Sequence, residues 1–350
     1  MLRIRTRRAA WTLAATAALT VAATTAAYPV LADSGHTAAK VGSGTGAGAG
    51  SASGAAMSGM SGMDAMPAAA TVAPDTSGTA VYLAASLIGR NEVPVAGKPK
   101  VGDPDGRAVE LLRIQGNQVS FALSWKGIAA PTEAHVHLGA KGVNGKVEIA
   151  LFATALPGSL NSVTGTVTVA DRALLASLRS DPGAFYANIH TAEFPGGAVR
   201  GQLHRLTHSV EISPSSVSEA SVVRGQQVYA CTAQPGGGYA FTQHNVSALL
   251  GAGIRHSFVK ADAGPPQWVA PDGSAVTGTV VSKTPNGQGD IPELDLTAAH
   301  SGARSGLLAD TDEVLRLNTI GGVAPSGSCD PHRTPIAEVP YQADYLFIDG

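Results

Sequence analysis

From Thr79 to the C-terminus no β-forming run goes far before Gly, Pro, Asn or Asp interrupts it, and this punctuation limits the folds open to the chain more than any other feature. "AVYLAASLIG", "RAVELLRIQGNQVSFALSWKGI", "EAHVHLG", "GKVEIALFA", "GSLNSVTGTVTV" and "AFYANIHTAEFPGGAVRGQLHRL" follow one another, with "DPDG" and "QGNQ" as turns. Short alternating runs bounded by turn formers predict antiparallel strands in a sandwich or barrel. The 42 glycines, 21 prolines and 5% aromatic content agree, because they favour many turns over long helices. One helix is predicted at "DRALLASLRS", where Asp171 caps and Leu174, Leu175 and Leu178 share a face.

Near His208 the stretch "SPSSVSEA" breaks the pattern, and strands then resume through "RGQQVYACTA", "QWVAPDGSAVTGTVVSKT", "EVLRLNTIGGVAP" and "VPYQADYLFI". "PDGS" reads as a hairpin turn and "NVSALLGAG" as a short helix. The expected fold is all-β, an antiparallel β-sandwich at 79–207 followed by a second β-rich domain at 208–350.

The N-terminus carries Arg3, Arg5, Arg7 and Arg8, then an Ala/Thr/Leu run, then "VLA" ending at Ala32, which is the pattern of an export signal over 1–32. Thr6, Arg7 and Arg8 leave the twin-arginine and general export routes both open. An uncleaved anchor over 9–32 is the competing reading, although Thr and Ala make that stretch weakly apolar. After cleavage no stable membrane span is expected, so the product should be secreted, extracellular or cell-wall associated. Residues 33–78, rich in Gly, Ala, Ser, Thr and Met, cannot bury enough surface to offset their ordering entropy and read as a flexible tether. Its glycines follow no strand and open no helix, which rules out a dinucleotide fingerprint.

A net charge of -2, with no basic cluster past the N-terminus, leaves no electrostatic footprint for a phosphate backbone and excludes nucleic acid as a partner. Cys231 and Cys329 are the two cysteines of the chain, and an isolated pair in an exported protein predicts a disulfide. No strand-to-helix nucleophile elbow occurs, so nothing argues for an enzyme of that type.

Three stretches in order, "NEVP" at 91–94, "AHVHLGAKGVNG" at 134–145 and "ANIHTAEFPGGAVRGQL" at 187–203, make residues 80–206 resemble a CHRD domain, the module named for chordin. "VYAC", "PQWVAPDGS", "DIPELDL", "LRLNTIGGVAPSGSC" and "VPYQADYLF" make residues 208–350 resemble an uncharacterised family of secreted proteins, with "IPELDL" lacking the tryptophan often found after Ile-Pro there. The resemblance implies an exported β-sandwich, Ig-like or dismutase-like, joined to a second β-rich domain, with no established catalytic activity.

His135 and His137 stand two apart on a predicted strand, so both imidazoles leave one face and can share a metal ion. His190 is a third candidate if its strand lies beside the first, and His204 a more remote fourth. Three imidazoles suit copper or zinc. The plain alternative is that these histidines hydrogen-bond within the sandwich. Glu92 and Arg200 read as a buried ion pair joining the "NEVP" loop to the last strand. Asp103 and Asp105 in "GDPDG" read as a turn, since a calcium loop requires later carboxylates. In the second domain Trp268, Tyr341 and Tyr345 read as core or rim aromatics.

Apart from Met1, every methionine lies in "AAMSGMSGMDAM", as Met57, Met60, Met63 and Met66. Thioethers are soft, neutral ligands that need no deprotonation, so a Met-x-x-Met tract can wrap monovalent copper, with Asp64 and His36 as further donors. Slippage in a low-complexity tether would produce the same repeat without function. Together these features point to an exported, non-catalytic copper-binding or copper-buffering protein. The alternative is a cell-surface or extracellular module that binds protein or polysaccharide and keeps its histidines structural. A third and less favoured reading is a dismutase-type oxidoreductase, which would need a bridging imidazole, extra ligands and a guiding arginine; Arg200 is near the right region, but no full second ligand set is seen.

Overall fold

The computed structural model describes residues 72–350. Met57, Met60, Met63 and Met66, the expected export signal and most of the expected tether lie outside the described residues. Where the tether enters the described part it is held. The Asn117 side chain accepts from Asp75 N and donates to Ala73 O, and Asn117 N donates to Asp75 O.

The first sheet is built from β1 (Val81–Ile88), β2 (Arg107–Gln115), β3 (Gln118–Lys126), β4 (Pro131–Leu138), β5 (Val147–Phe152), β6 (Ser162–Thr168), β7 (Phe185–Thr191), β8 (Val199–Gln202) and β9 (His204–Arg205). Its strand order is β5-β4-β7-β8-β1-β2-β3-β6, with β9 paired to β1, and every pairing is antiparallel. The sheet is continuous but curls into two halves that face each other as in a sandwich. Period-2 alternation explains why. On β3, Val119, Phe121, Leu123 and Trp125 enter the same core as Val136 of β4 and Ile189 of β7. Helix α1 (Arg172–Ser180) forms where the sequence placed it, its first turn capped by Asp171 Oδ1, which accepts from Ala173 N and Leu174 N at 2.9 Å. Leu175 and Leu178 carry its buried face into that core.

The second unit of sheet is a closed barrel of eight strands, each antiparallel to its sequence neighbours. Its strands are β10 (Val217–Ala233), β11 (Tyr239–Leu250), β12 (Arg255–Phe258), β13 (Pro266–Val269), β14 (Ala275–Thr284), β15 (Glu293–His300), β16 (Thr311–Gly321) and β17 (Ile336–Asp349). Pairing of β17 with β10 closes the ring and removes both sheet edges. The predicted hairpin turn at "PDGS" joins β13 to β14, where Asp272 Oδ1 accepts from Ser274 N at 2.9 Å. The helix expected at "NVSALLGAG" does not form. β11 runs through it to Leu250, and a single 3-10 turn at Gly251–Gly253 follows, because Val246 and Leu250 alternate into the barrel core. Cys231 and Cys329 are joined by a disulfide across a separation of 98 residues.

The two sheets share a third core. The outward face of β1–β3 presents Ala84, Val109, Leu111 and Ala122, and these pack on Leu315, Leu317, Leu346 and Ile348 from the outside of β16 and β17. Polar groups ring it: Arg107 pairs with Asp344 at 2.8 Å, Lys126 with Glu219 at 3.3 Å and Lys141 with Glu293 at 3.2 Å. Strands β1 to β3 are therefore buried on both faces, one in the sandwich and one against the barrel.

Candidate metal centre

On β4, Ala134 and Val136 face the core, so Glu133, His135 and His137 face the other way. Antiparallel pairing with β7 sets Glu133 opposite His190, His135 opposite Asn188 and His137 opposite Tyr186. The same face therefore carries His190, and it stands diagonal to His135. The sequence-predicted trio does come together: His135, His137 and His190 each offer a ring nitrogen within 4.8 Å of those of the other two. His135 Nδ1 and His190 Nε2 are 3.3 Å apart. Imidazole nitrogens bound about 2.0 to 2.1 Å from one ion stand roughly 3.4 Å apart in tetrahedral geometry, so small side-chain movements would complete a shared site.

Each ring has an oxygen at its other nitrogen. His137 Nδ1 is 3.1 Å from Gly145 O, His190 Nδ1 is 3.0 Å from Pro195 O, and His135 Nε2 is 3.6 Å from Glu133 Oε2. Tautomers that donate to the Gly145 and Pro195 carbonyls leave lone pairs on His137 Nε2 and His190 Nε2, the arrangement by which neighbouring acceptors orient metal-ligating histidines, while Glu133 lies near His135 Nε2 beyond hydrogen-bond distance. His137 Nε2 is buried without any hydrogen-bond partner, a cost that an incoming cation would relieve.

Burial, reinforced by the neighbouring His190 and His137 rings, pushes His135 down to about 3. Burial likewise pushes His137 down to about 4, against the pull of the Gly145 carbonyl. Both rings are thus neutral at physiological pH, and neutral imidazole is the form that ligates.

Sequence reasoning missed the groups that hold the trio. Tyr186 stacks on His137 with ring centroids 4.7 Å apart, and its hydroxyl accepts from Gly145 N at 3.2 Å. Its other face carries the Arg200 guanidinium at 3.4 Å. Gly145 is required where it stands, because a Cβ there would collide with the Leu138 carbonyl. Tyr186 lies four residues before His190, and Glu133 two before His135, so strand alternation alone would have placed both on the histidine face.

The expected ion pair between Glu92 and Arg200 does not form directly among the described residues. Arg200 donates to Asn144 Oδ1, Ala140 O and Val143 O at 2.8 to 3.2 Å, and so organises the loop that brings Gly145 to His137. Glu92 Oε1 accepts instead from Asn188 Nδ2 at 2.5 Å, and burial pushes its carboxyl up to about 8 against the pull of Arg200. His204 stays outside the trio and faces Glu293 of the barrel at 3.7 Å. Asp103 and Asp105 make a turn, with Asp103 Oδ1 accepting from Asp105 N at 3.2 Å. Trp268, Tyr341 and Tyr345 are buried inside the barrel. No helix among the described residues is long and apolar enough to cross a membrane.

Comparison with family models matches residues 83–203 to the CHRD domain and residues 241–349 to a family described as a protein of unknown function (DUF3455). No curated protein and no solved structure matches the chain. The sheets make this an all-β chain, and the family models place in it a CHRD domain followed by a DUF3455 domain.

Proposed function

We propose that the protein is an exported, non-catalytic copper-binding or copper-buffering protein whose folded site is His135, His137 and His190. One observation carries the reading: three imidazoles converge with each distal nitrogen facing an oxygen, while the buried His137 Nε2 has no partner. Neutral imidazole accepts copper in either oxidation state and also accepts zinc. Met57, Met60, Met63 and Met66 supply soft sulfur for the monovalent ion, so the tether collects copper and the sandwich face stores it. A disulfide and an Arg-led apolar N-terminus fit an oxidising, extracellular or cell-wall location.

Competition against a chelator of known affinity, for monovalent and divalent copper, tests this in three full-length proteins. These are the wild type, His135→Ala/His190→Ala, and the variant with all four tether methionines changed to Leu. The account expects the histidine variant to lose at least tenfold in divalent copper affinity and the Leu variant to lose monovalent copper affinity. Equal affinities in all three would sink it.

A second reading, an extracellular module that binds protein or polysaccharide with structural histidines, draws on the His135–His190 contact, which satisfies two ring nitrogens without an ion. It expects chelators to leave the melting temperature unchanged, whereas a native-state metal site raises stability by mass action.

A further inference from the structure

The barrel interior is not fully packed. A cavity of about 340 Å³ lies within it, lined by residues that include Gln227, Val246, His256, Trp268, Leu294 and Arg316. Trp268 and Tyr345, both fully buried, mark its deep side, while the exposed Val280 and Lys283 mark where it reaches solvent. Eight-stranded closed barrels have just enough interior to be filled by side chains or to hold one small ligand.

Three polar atoms of the lining residues share one character. Trp268 Nε1, Gln227 Nε2 and Arg316 Nε are all hydrogen-bond donors, all buried, and none has a partner. Trp268 is 1% and Gln227 4% exposed, so bulk water does not serve them. Neighbouring contacts hold them in place. The Trp268 ring stacks on His256 with centroids 4.5 Å apart, Gln227 Oε1 accepts from Gln243 Nε2 at 3.1 Å, and Arg316 Nη2 donates to Pro292 O at 2.8 Å. Three orphaned donors in one buried space are costly unless an acceptor enters.

Charge points the same way. Arg316 and Lys283 line the cavity, and among its described lining residues none is Asp or Glu. His256 adds no positive charge, since burial pushes it down to about 3. Apart from Gln243 and the hydroxyls of Tyr229 and Tyr345, the remaining wall is apolar or aromatic, with Val246, Phe258, Ile291, Leu294 and Leu296. At about 30 Å³ per water-sized group the cavity accommodates about ten non-hydrogen atoms.

We infer that the barrel lumen is a binding site for a small organic carboxylate with an apolar body, its carboxylate accepting from Arg316, Gln227 and Trp268. The donor set explains the anion, and the hydrocarbon wall explains the rest of the ligand. This site is separate from the histidine trio and stands or falls independently of it.

trans-Cinnamate matches the cavity in size and chemistry, and trans-cinnamamide is its uncharged counterpart. Calorimetric titration of both into the full chain, followed also by tryptophan fluorescence, tests the inference. Cinnamate should bind at least tenfold more tightly than the amide and perturb the emission of Trp268. Arg316→Met should erase that preference, and Gln227→Leu should weaken cinnamate several-fold. Binding of acid and amide with equal affinity, or no binding of cinnamate, phenylacetate or hexanoate, overturns the inference. Should Arg316→Met fail to fold, as judged by circular dichroism, the comparison of acid and amide in the wild-type chain decides it alone.

Discussion

Glu110 sits on β2 between Ala108 and Leu112, opposite Ala85 and Leu123, and all four neighbours belong to the sandwich core. It is 1% exposed and its Oε1 has no partner. Burial alone pushes its carboxyl from 4.5 up to about 8. The sign follows from linkage. Between those two values the unfolded chain ionises and the folded chain does not, so stability falls as pH rises through this window and the loss is complete above about pH 8. Each tenfold change in proton affinity is worth about 1.4 kcal/mol, which sets a ceiling of about 5 kcal/mol on the loss. The neutral carboxyl also leaves one buried acceptor unsatisfied, a cost of about 1 to 3 kcal/mol at any pH. Glu110→Leu, similar in volume, removes both. Urea unfolding of wild type and variant at pH 4 and pH 9 should show the variant more stable at both, with an advantage that widens by several kcal/mol at pH 9. An advantage that stays the same at the two pH values refutes the reasoning, and so does a variant less stable at pH 9.

Reduction of the Cys231–Cys329 disulfide, which spans 98 residues, should cost up to about 4 to 5 kcal/mol on the chain-entropy model, and an unchanged urea midpoint in reductant would show that the bridge contributes nothing. The core shared by β1–β3 with β16 and β17 predicts that calorimetry of the wild type gives a single cooperative transition. Leu346→Ala, at a fully buried position in that shared core, should lower it by about 2 to 5 kcal/mol, while two separate transitions in the wild type would contradict the coupling.

Alternation made the sandwich legible. Val119, Phe121, Leu123 and Trp125 advertise a strand with one face in a core, and Asp171 with Leu175 and Leu178 advertise the one helix. The same rule put His135 and His137 on one face. It could not show that His190 comes alongside them, because that depends on β7 pairing with β4, which brings together histidines 55 residues apart in sequence. The runs "AVELLRI" and "DYLFI" place apolar residues on both faces of their strands, at Val109, Leu111, Leu112 and Ile114 and at Tyr345, Leu346, Phe347 and Ile348, a signal that alternation alone does not capture, since strands buried on both faces lose their polar side. That is why the shared core went unread. "NVSALLGAG" looked helical because Val246, Leu249 and Leu250 fit a helical face as well as a strand, and barrel closure decided in favour of the strand. Glu92 and Arg200 looked like partners by charge. The aromatic face of Tyr186 and three loop acceptors engaged the guanidinium instead, and charge pattern carries no trace of those.

Pulsed electron paramagnetic resonance of the full chain loaded with one equivalent of divalent copper counts bound imidazoles through their remote nitrogens. The account predicts three in the wild type and two in His137→Ala. A signal without imidazole nitrogen, or one that His137→Ala leaves unchanged, contradicts it.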